Sequence, residues 1–190
     1  MTRRAGLDQQ SVLQAAANLA DSSSIEDVTL ATLAAKLGIR PPTLYHYVNG
    51  LDGLRRELAI LGARQMTRVL GQAIMGFSGG EAVEAMALAY RDFARTHPGL
   101  YIAFQRAAAP DDTSLQEAQA EVLEIGLRVV APARAERDSA IHTVRLIRSL
   151  IHGFVSLEIT GGFGLSQDID ETFQRLVQVM IQIVKEGRTK

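Results

Sequence analysis

Cysteine and tryptophan are both missing from this 190-residue chain, and only 5% of its residues are aromatic. With no thiol, neither a disulfide framework nor a thiolate metal site can be built. No long alternating run of β-branched residues occurs, so the usual signal for sheet is lacking. No stretch is long and apolar enough to cross a membrane, and the opening MTRRAGLDQQ lacks the apolar centre of an export signal. The expectation is a cytoplasmic protein that does not enter a membrane. Charge of one sign is lacking too: the net charge is −1, with +1 over residues 1–56 and −2 over the rest. That balance excludes a strongly basic coat for nucleic acid, yet suits a few well-placed cations at phosphates. G-x-S-x-G, H-E-x-x-H and a phosphate-loop glycine pattern do not occur. The GGFG run at Gly161–Gly164 lacks the strand-to-helix context of a phosphate cradle, and His46, His97, His142 and His152 are scattered. Neither an enzyme, a cofactor nor a metal centre is expected.

What is present favours helix. The hydrophobic content is 47%, with abundant Ala and Leu. The pattern predicts an all-α chain of about nine helices. One stretch organises the rest: TLATLAAKLGIRPPTLYHYVN, from Thr29 to Asn49. Leu30, Leu33, Ala34 and Leu37 recur at helical spacing behind Thr29, a good N-cap. Gly38 stands where a chain leaving a helix often needs positive φ. A second short helix begins at Pro41-Pro42, residues suited to a first turn. Leu44 and Val48 can face a core, which leaves Thr43, Tyr45, His46 and Tyr47 to point elsewhere. Such a helix, apolar behind and polar in front, suits a DNA major groove.

These residues resemble the helix-turn-helix of the TetR family of bacterial transcription regulators, over roughly the first third of the chain. In that family a helix like LATLAAKLG precedes a recognition helix containing T-L-Y-x-H-F. Thr43, Leu44 and Tyr45 match, Tyr47 replaces the usual His, and Val48 replaces the usual Phe. The resemblance implies double-stranded operator DNA as partner, contacted through Thr29, Arg40, Thr43, Tyr45, His46 and Tyr47, with Lys36 on the exposed face of the preceding helix. Tyr45 and Tyr47 can touch phosphates or pack on the first helix. Arg3 and Arg4 offer a phosphate or minor-groove contact, or else a solvated terminus. A Lys that the family often uses on phosphate is Leu51 here, which shifts that task to Arg55, Arg56 or the tail.

The predicted helices run from after Asp8 to Ser22, through the two of the motif, then from the Asn49–Gly53 turn to about Gly76. Later ones cover about Glu81–Thr96, Leu100–Ala107, Ser114–Val130, Arg134–Ile159 and Ile169–Glu186, with His97-Pro98-Gly99 as an interruption. HPGLYIAF at His97–Phe104 and IHGFVSLEITGGFG at Ile151–Gly164 resemble a TetR subgroup whose C-terminal domain carries a Trp-His-Gly motif. Ile151 replaces the Trp; His152, Gly153 and Phe154 match.

Two sets of residues follow for the C-terminal part. Met66, Met86, Tyr90, Phe93, Tyr101, Phe104, Gln105, His142, Arg145 and Glu158 could line a pocket for a small, largely apolar effector; singly, each is more often core or salt bridge. The last two helices carry surplus apolar faces, as an intersubunit four-helix bundle requires. His152, Phe154, Phe173, Leu176, Val177, Met180, Ile183 and Val184 are the expected homodimer contact, the other reading being that they complete their own core. The division expected is a DNA-binding domain at 1–53, its motif at 30–49, and a ligand-binding and dimerisation domain at 54–190. The function implied is a repressor that an effector releases from its operator. A regulator controlled by a partner protein, or a helical carrier or enzyme with a vestigial motif, are the alternatives.

Overall fold

A computed structural model describes residues 7–131 and 136–187. Among these residues the fold is all-helical: α1 (Gln9–Ser22), α2 (Leu30–Leu37), a 3-10 helix (Pro41–His46), α3 (Gly50–Ala73), α4 (Gly79–Thr96), α5 (Pro98–Phe104), α6 (Thr113–Val130), α7 (Arg137–Ile159) and α8 (Ile169–Gly187). No helix among them is long and apolar enough to cross a membrane. The chain packs as two compact units. One takes Met1–Ala63 with Thr96–Ala118, the other Arg64–Arg95 with Gln119–Lys190. Helix α3 contributes residues to both.

In the first unit α1 lies against α2 and α5. It starts at a capping box: the Ser11 amide donates to Asp8 Oδ1 at 2.7 Å, and the Asp8 amide donates to Ser11 Oγ at 3.0 Å. Its buried face is small-sided, Val12, Ala16, Ala17 and Ala20, so a neighbouring backbone can come close. Gly99 of α5 uses that closeness. A Cβ there would stand 2.3 Å from the Ala20 carbonyl carbon. The same joint explains why α5 starts at Pro98, not at Leu100 as the spacing suggested. Pro98 fits the first turn, and Asp21 Oδ1 accepts from the Gly99 and Leu100 amides at 3.0 and 3.1 Å. His97 Nδ1 sits 2.8 Å from the other oxygen of Asp21.

The second unit is built on long apolar faces. Val83, Met86, Ala87, Tyr90, Phe93 and Ala94 of α4 are buried, as their spacing predicts. Helices α7 and α8 pack on each other. From α8, Phe173, Val177, Met180 and Val184 are buried; each such side chain stabilises by about 1.5–3 kcal/mol. Helix α7 is less enclosed than its composition suggests. Leu146 and Leu157 are 49% and 48% exposed, so one side of it faces outward. Its expected start at Arg134 lies outside the described residues.

Candidate nucleic-acid interface

The motif is assembled from local chemistry. Thr29 caps α2: the Thr32 amide donates to Thr29 Oγ1 at 3.1 Å, and the Thr29 amide donates to Thr32 Oγ1 at 2.9 Å. Gly38 then adopts φ +67°, which lets the Ile39 amide reach back to the Ala34 carbonyl at 3.0 Å. The chain turns and enters the Pro41–His46 segment, which is a 3-10 helix. Two consecutive prolines supply no amide hydrogens there, and the bonds that form span three residues. The Thr43 amide donates to Arg40 O and the Tyr47 amide to Leu44 O, both at 2.9 Å. Gly50, at φ +69°, carries the chain into α3.

Burial separates the two sides of this segment. Leu44 is completely buried and Val48 nearly so, locking the segment onto α2. Tyr45 is 63% exposed, and His46, Arg40 and Lys36 are exposed beside it. Thr43, Tyr47 and Thr29 are half-buried. Tyr45, His46 and Tyr47 share one shallow concavity with Gln9, Asn49 and Arg56. All six carry hydrogen-bond donors or acceptors, which suits contact with base edges and phosphates. Arg3 and Arg4 lie outside the described residues.

The two arginines expected to replace the missing Lys differ. Arg56 is engaged: its Nε and Nη2 donate to Asp112 at 2.8 and 2.6 Å, and Nη1 to Glu57 at 2.7 Å. The Arg56 hydrogen bond holds the Asp112 carboxyl below the usual carboxylate range. A phosphate would have to displace both partners. Arg55 has no such partner among the described residues.

Comparison with known proteins decides the family. Residues 83–180 match the family described as Tetracyclin repressor-like, C-terminal domain. The HTH-type transcriptional regulator YobS of Bacillus subtilis is 33% identical over 181 residues, covering 95% of this chain and 94% of its own. The chain belongs to the TetR family of transcriptional regulators. A second relative, an HTH-type transcriptional regulator of Mycobacterium tuberculosis, is 32% identical over 171 residues, covering 90% of this chain and 77% of its own. Among solved structures, a TetR variant of Acinetobacter baumannii bound to minocycline superposes with a TM-score of 0.72 at 17% identity, covering 97% of this chain and 100% of that one. That likeness carries the fold: all-helical, with an N-terminal helix-turn-helix and a C-terminal helical domain. These relatives are regulators and not enzymes.

The C-terminal residues singled out from the TetR-like sequence fall in several places. Met66, Met86, Tyr90 and Phe93 are buried in the second unit, and Tyr101 and Phe104 in the first, stacked edge to face at 5.7 Å. Gln105 is half-buried, while His142 and Arg145 are exposed. Glu158 is already occupied. It accepts from Arg91 Nε and Nη2 at 2.9 and 2.5 Å, and Arg91 Nη2 also reaches Asp170 at 2.7 Å. The Arg91 guanidinium lies 4.5 Å from the Phe173 ring centre and 5.5 Å from that of Phe154. Sequence reading missed Arg91, because an arginine at one position of an otherwise apolar α4 face reads as a solvated edge. Its spacing from Ala87 and Ala94 was the available signal.

The residues expected at a subunit contact divide by their burial in this chain. Phe154, Phe173, Val177, Met180 and Val184 are buried within a single chain. His152, Leu176 and Ile183 keep some exposure. The outward apolar side chains are Leu146 and Leu157 of α7 and Val179 of α8.

Proposed function

We propose that this TetR-family regulator is a homodimeric repressor whose residues 1–53 bind operator DNA and whose residues 54–190 dimerise and take a small, largely apolar effector. The observation that carries the reading is the two-sided Pro41–His46 segment. Its apolar side is sealed by Leu44 and Val48, and its exposed side presents Tyr45 and His46. Thr43, Tyr45, His46 and Tyr47 then read or position the duplex, with Thr29, Arg40 and Lys36 on the flanking phosphates. Paired recognition segments in successive major grooves require a separation of about 34–36 Å, which a homodimer sets. The exposed Leu146, Leu157 and Val179 support α7 and α8 as its contact.

Release follows from population shift. Helix α3 has residues in both compact units, so a conformer in which it pivots changes the spacing of the recognition segments. The effector shifts that equilibrium only by its differential affinity for the two conformers. His152-Gly153-Phe154 supports a place in the Trp-His-Gly subgroup, and a regulator of this kind works inside the cell.

Selection of bound fragments from random DNA yields a two-fold symmetric site on this reading. Tyr45→Phe combined with His46→Ala abolishes specific binding and leaves helicity and oligomeric state unchanged. A variant that loses its helicity instead would assign these side chains to folding.

A further inference from the structure

Arg55 and Arg56 are sequence neighbours on the first turns of α3 with opposite surroundings. Arg56 is held by two carboxylates. Arg55 makes no hydrogen bond and no ion pair among the described residues, and its Nε is buried without an acceptor. A guanidinium in that state lacks the planar acceptor that it binds best. Glu26, the acidic residue of the same cleft, is turned to the Ser24 hydroxyl and feels Arg55 only at a distance.

Arg55 lines a cleft of about 260 Å³ together with Ile25, Glu26, Ile102, Ala103 and Arg106. All six residues belong to the first compact unit. The cleft has two chemically distinct parts. Arg55 and Arg106 outnumber Glu26 in the lining, with Arg106 also drawn to Asp112 outside it. Ile102, on the outer side of an otherwise buried α5, is 42% exposed, and Ala103 lies beside it. At about 30 Å³ per water the space holds roughly nine waters. It is smaller than most drug-sized pockets, which start near 300 Å³. A dianion finds too little positive charge here, and a hydrated inorganic ion gains nothing from Ile102. A neutral apolar molecule leaves the guanidinium as it was.

We propose that this cleft binds a small monocarboxylate, its carboxylate on Arg55 and Arg106 and its short apolar body on Ile102 and Ala103. The lining shares no residue with the Pro41–His46 segment, and its test is read without DNA.

Hexanoate is the probe, and the Ile102 δ-methyl resonance of the full chain is the readout. Hexanoate shifts that resonance saturably, with a dissociation constant on the order of 1 mM for so small a ligand. Hexanol and sulfate, which each carry half of the required chemistry, bind at least about tenfold more weakly. Arg55→Met and Arg106→Met each weaken hexanoate about tenfold or more, while Arg68→Met, an exposed cation elsewhere on α3, leaves it unchanged. Arg55→Lys retains part of the affinity, because it keeps the charge and loses the planar edge. The proposal is overturned if hexanol or sulfate matches hexanoate, or if the resonance stays fixed. It is equally overturned if hexanoate binds undiminished to Arg106→Met and to whichever Arg55 variant retains native helicity.

Discussion

Each compact unit contains an arginine held by two carboxylates, and the two clusters are built for different surroundings. In the first unit the half-exposed Arg56 pairs with the half-exposed Glu57 and the more enclosed Asp112. In the second, Arg91 is only 8% exposed, stacked against Phe154 and Phe173 and held by Glu158 and Asp170. Asp112 is as enclosed as Glu158, but Arg56 itself is partly exposed, so water reaches the cation and weakens the pair. In the second, Arg91 and Glu158 are largely removed from water, while Asp170 stays exposed. Losing one partner there leaves a charge with no solvent to replace it. The first unit instead depends on closeness of backbone, at the joint of Ala20 with Gly99, and on Asp21 capping α5. The comparison teaches that the same residue type stabilises by location. A buried arginine fixes the arrangement of three helices; a rim arginine can serve as a releasable contact.

The sharpest way to break the comparison is Glu158→Gln. It removes the charge that holds Arg91 and costs about 3 kcal/mol, with Asp170 keeping the loss from being larger. Thermal unfolding reads this as a Tm lower by roughly 6–12 °C, at about 2–4 °C per kcal/mol. The double variant Arg91→Met with Glu158→Met is milder, since no orphan charge remains. A double variant as unstable as the single one would show that packing, and not charge, dominates the cluster.

Gly99→Ala comes next. The added methyl meets Ala20 backbone atoms that cannot rotate away, so α1 and α5 must separate, at about 2–3 kcal/mol. Denaturant titration measures the loss. Unchanged stability would mean that the joint is loose.

A smaller effect is a pH dependence in the second unit. Burial, and then the charge of Arg148, hold the His152 imidazole below the ordinary histidine value of 6.5. The unfolded chain therefore takes up the proton first. Stability is fully present above pH 6.5 and falls as pH drops through the lower folded value. His152→Asn flattens that slope in unfolding titrations across mildly acidic pH. The smallest change belongs to Arg56→Met. Arg56 depresses the Asp112 carboxyl, so its contribution is present above the ordinary carboxylate range and fades as pH falls below it. The variant loses this acid-side slope and little else; a large loss at neutral pH would make the rim pair as important as the buried one.

Much of this was legible in advance, residue by residue. Thr29 and Gly38 bound α2 because capping and positive φ are local requirements that a few neighbours satisfy. Leu44 and Val48 point inward because their spacing leaves them no other common side. The start of α5 was misjudged, since the group that caps it, Asp21, lies 78 residues away from Gly99 in sequence. The contact residues on α8 were not legible for a related reason. Phe173, Val177, Met180 and Val184 form a stripe, and a stripe does not say whether its own chain or a second copy covers it.

Order along the chain thus determined by itself the all-α class, the helix-turn-helix and the polar front of its second helix, because each rests on contacts within a few residues. Only the tertiary structure decided which charges are held and which are open. Arg91 is enclosed by rings and carboxylates from α7 and α8, Arg56 is claimed by a loop 56 residues on, and Arg55 beside it is left facing a cleft. The dielectric around a charge and the partner that reaches it come from distant segments, and periodicity carries no record of either.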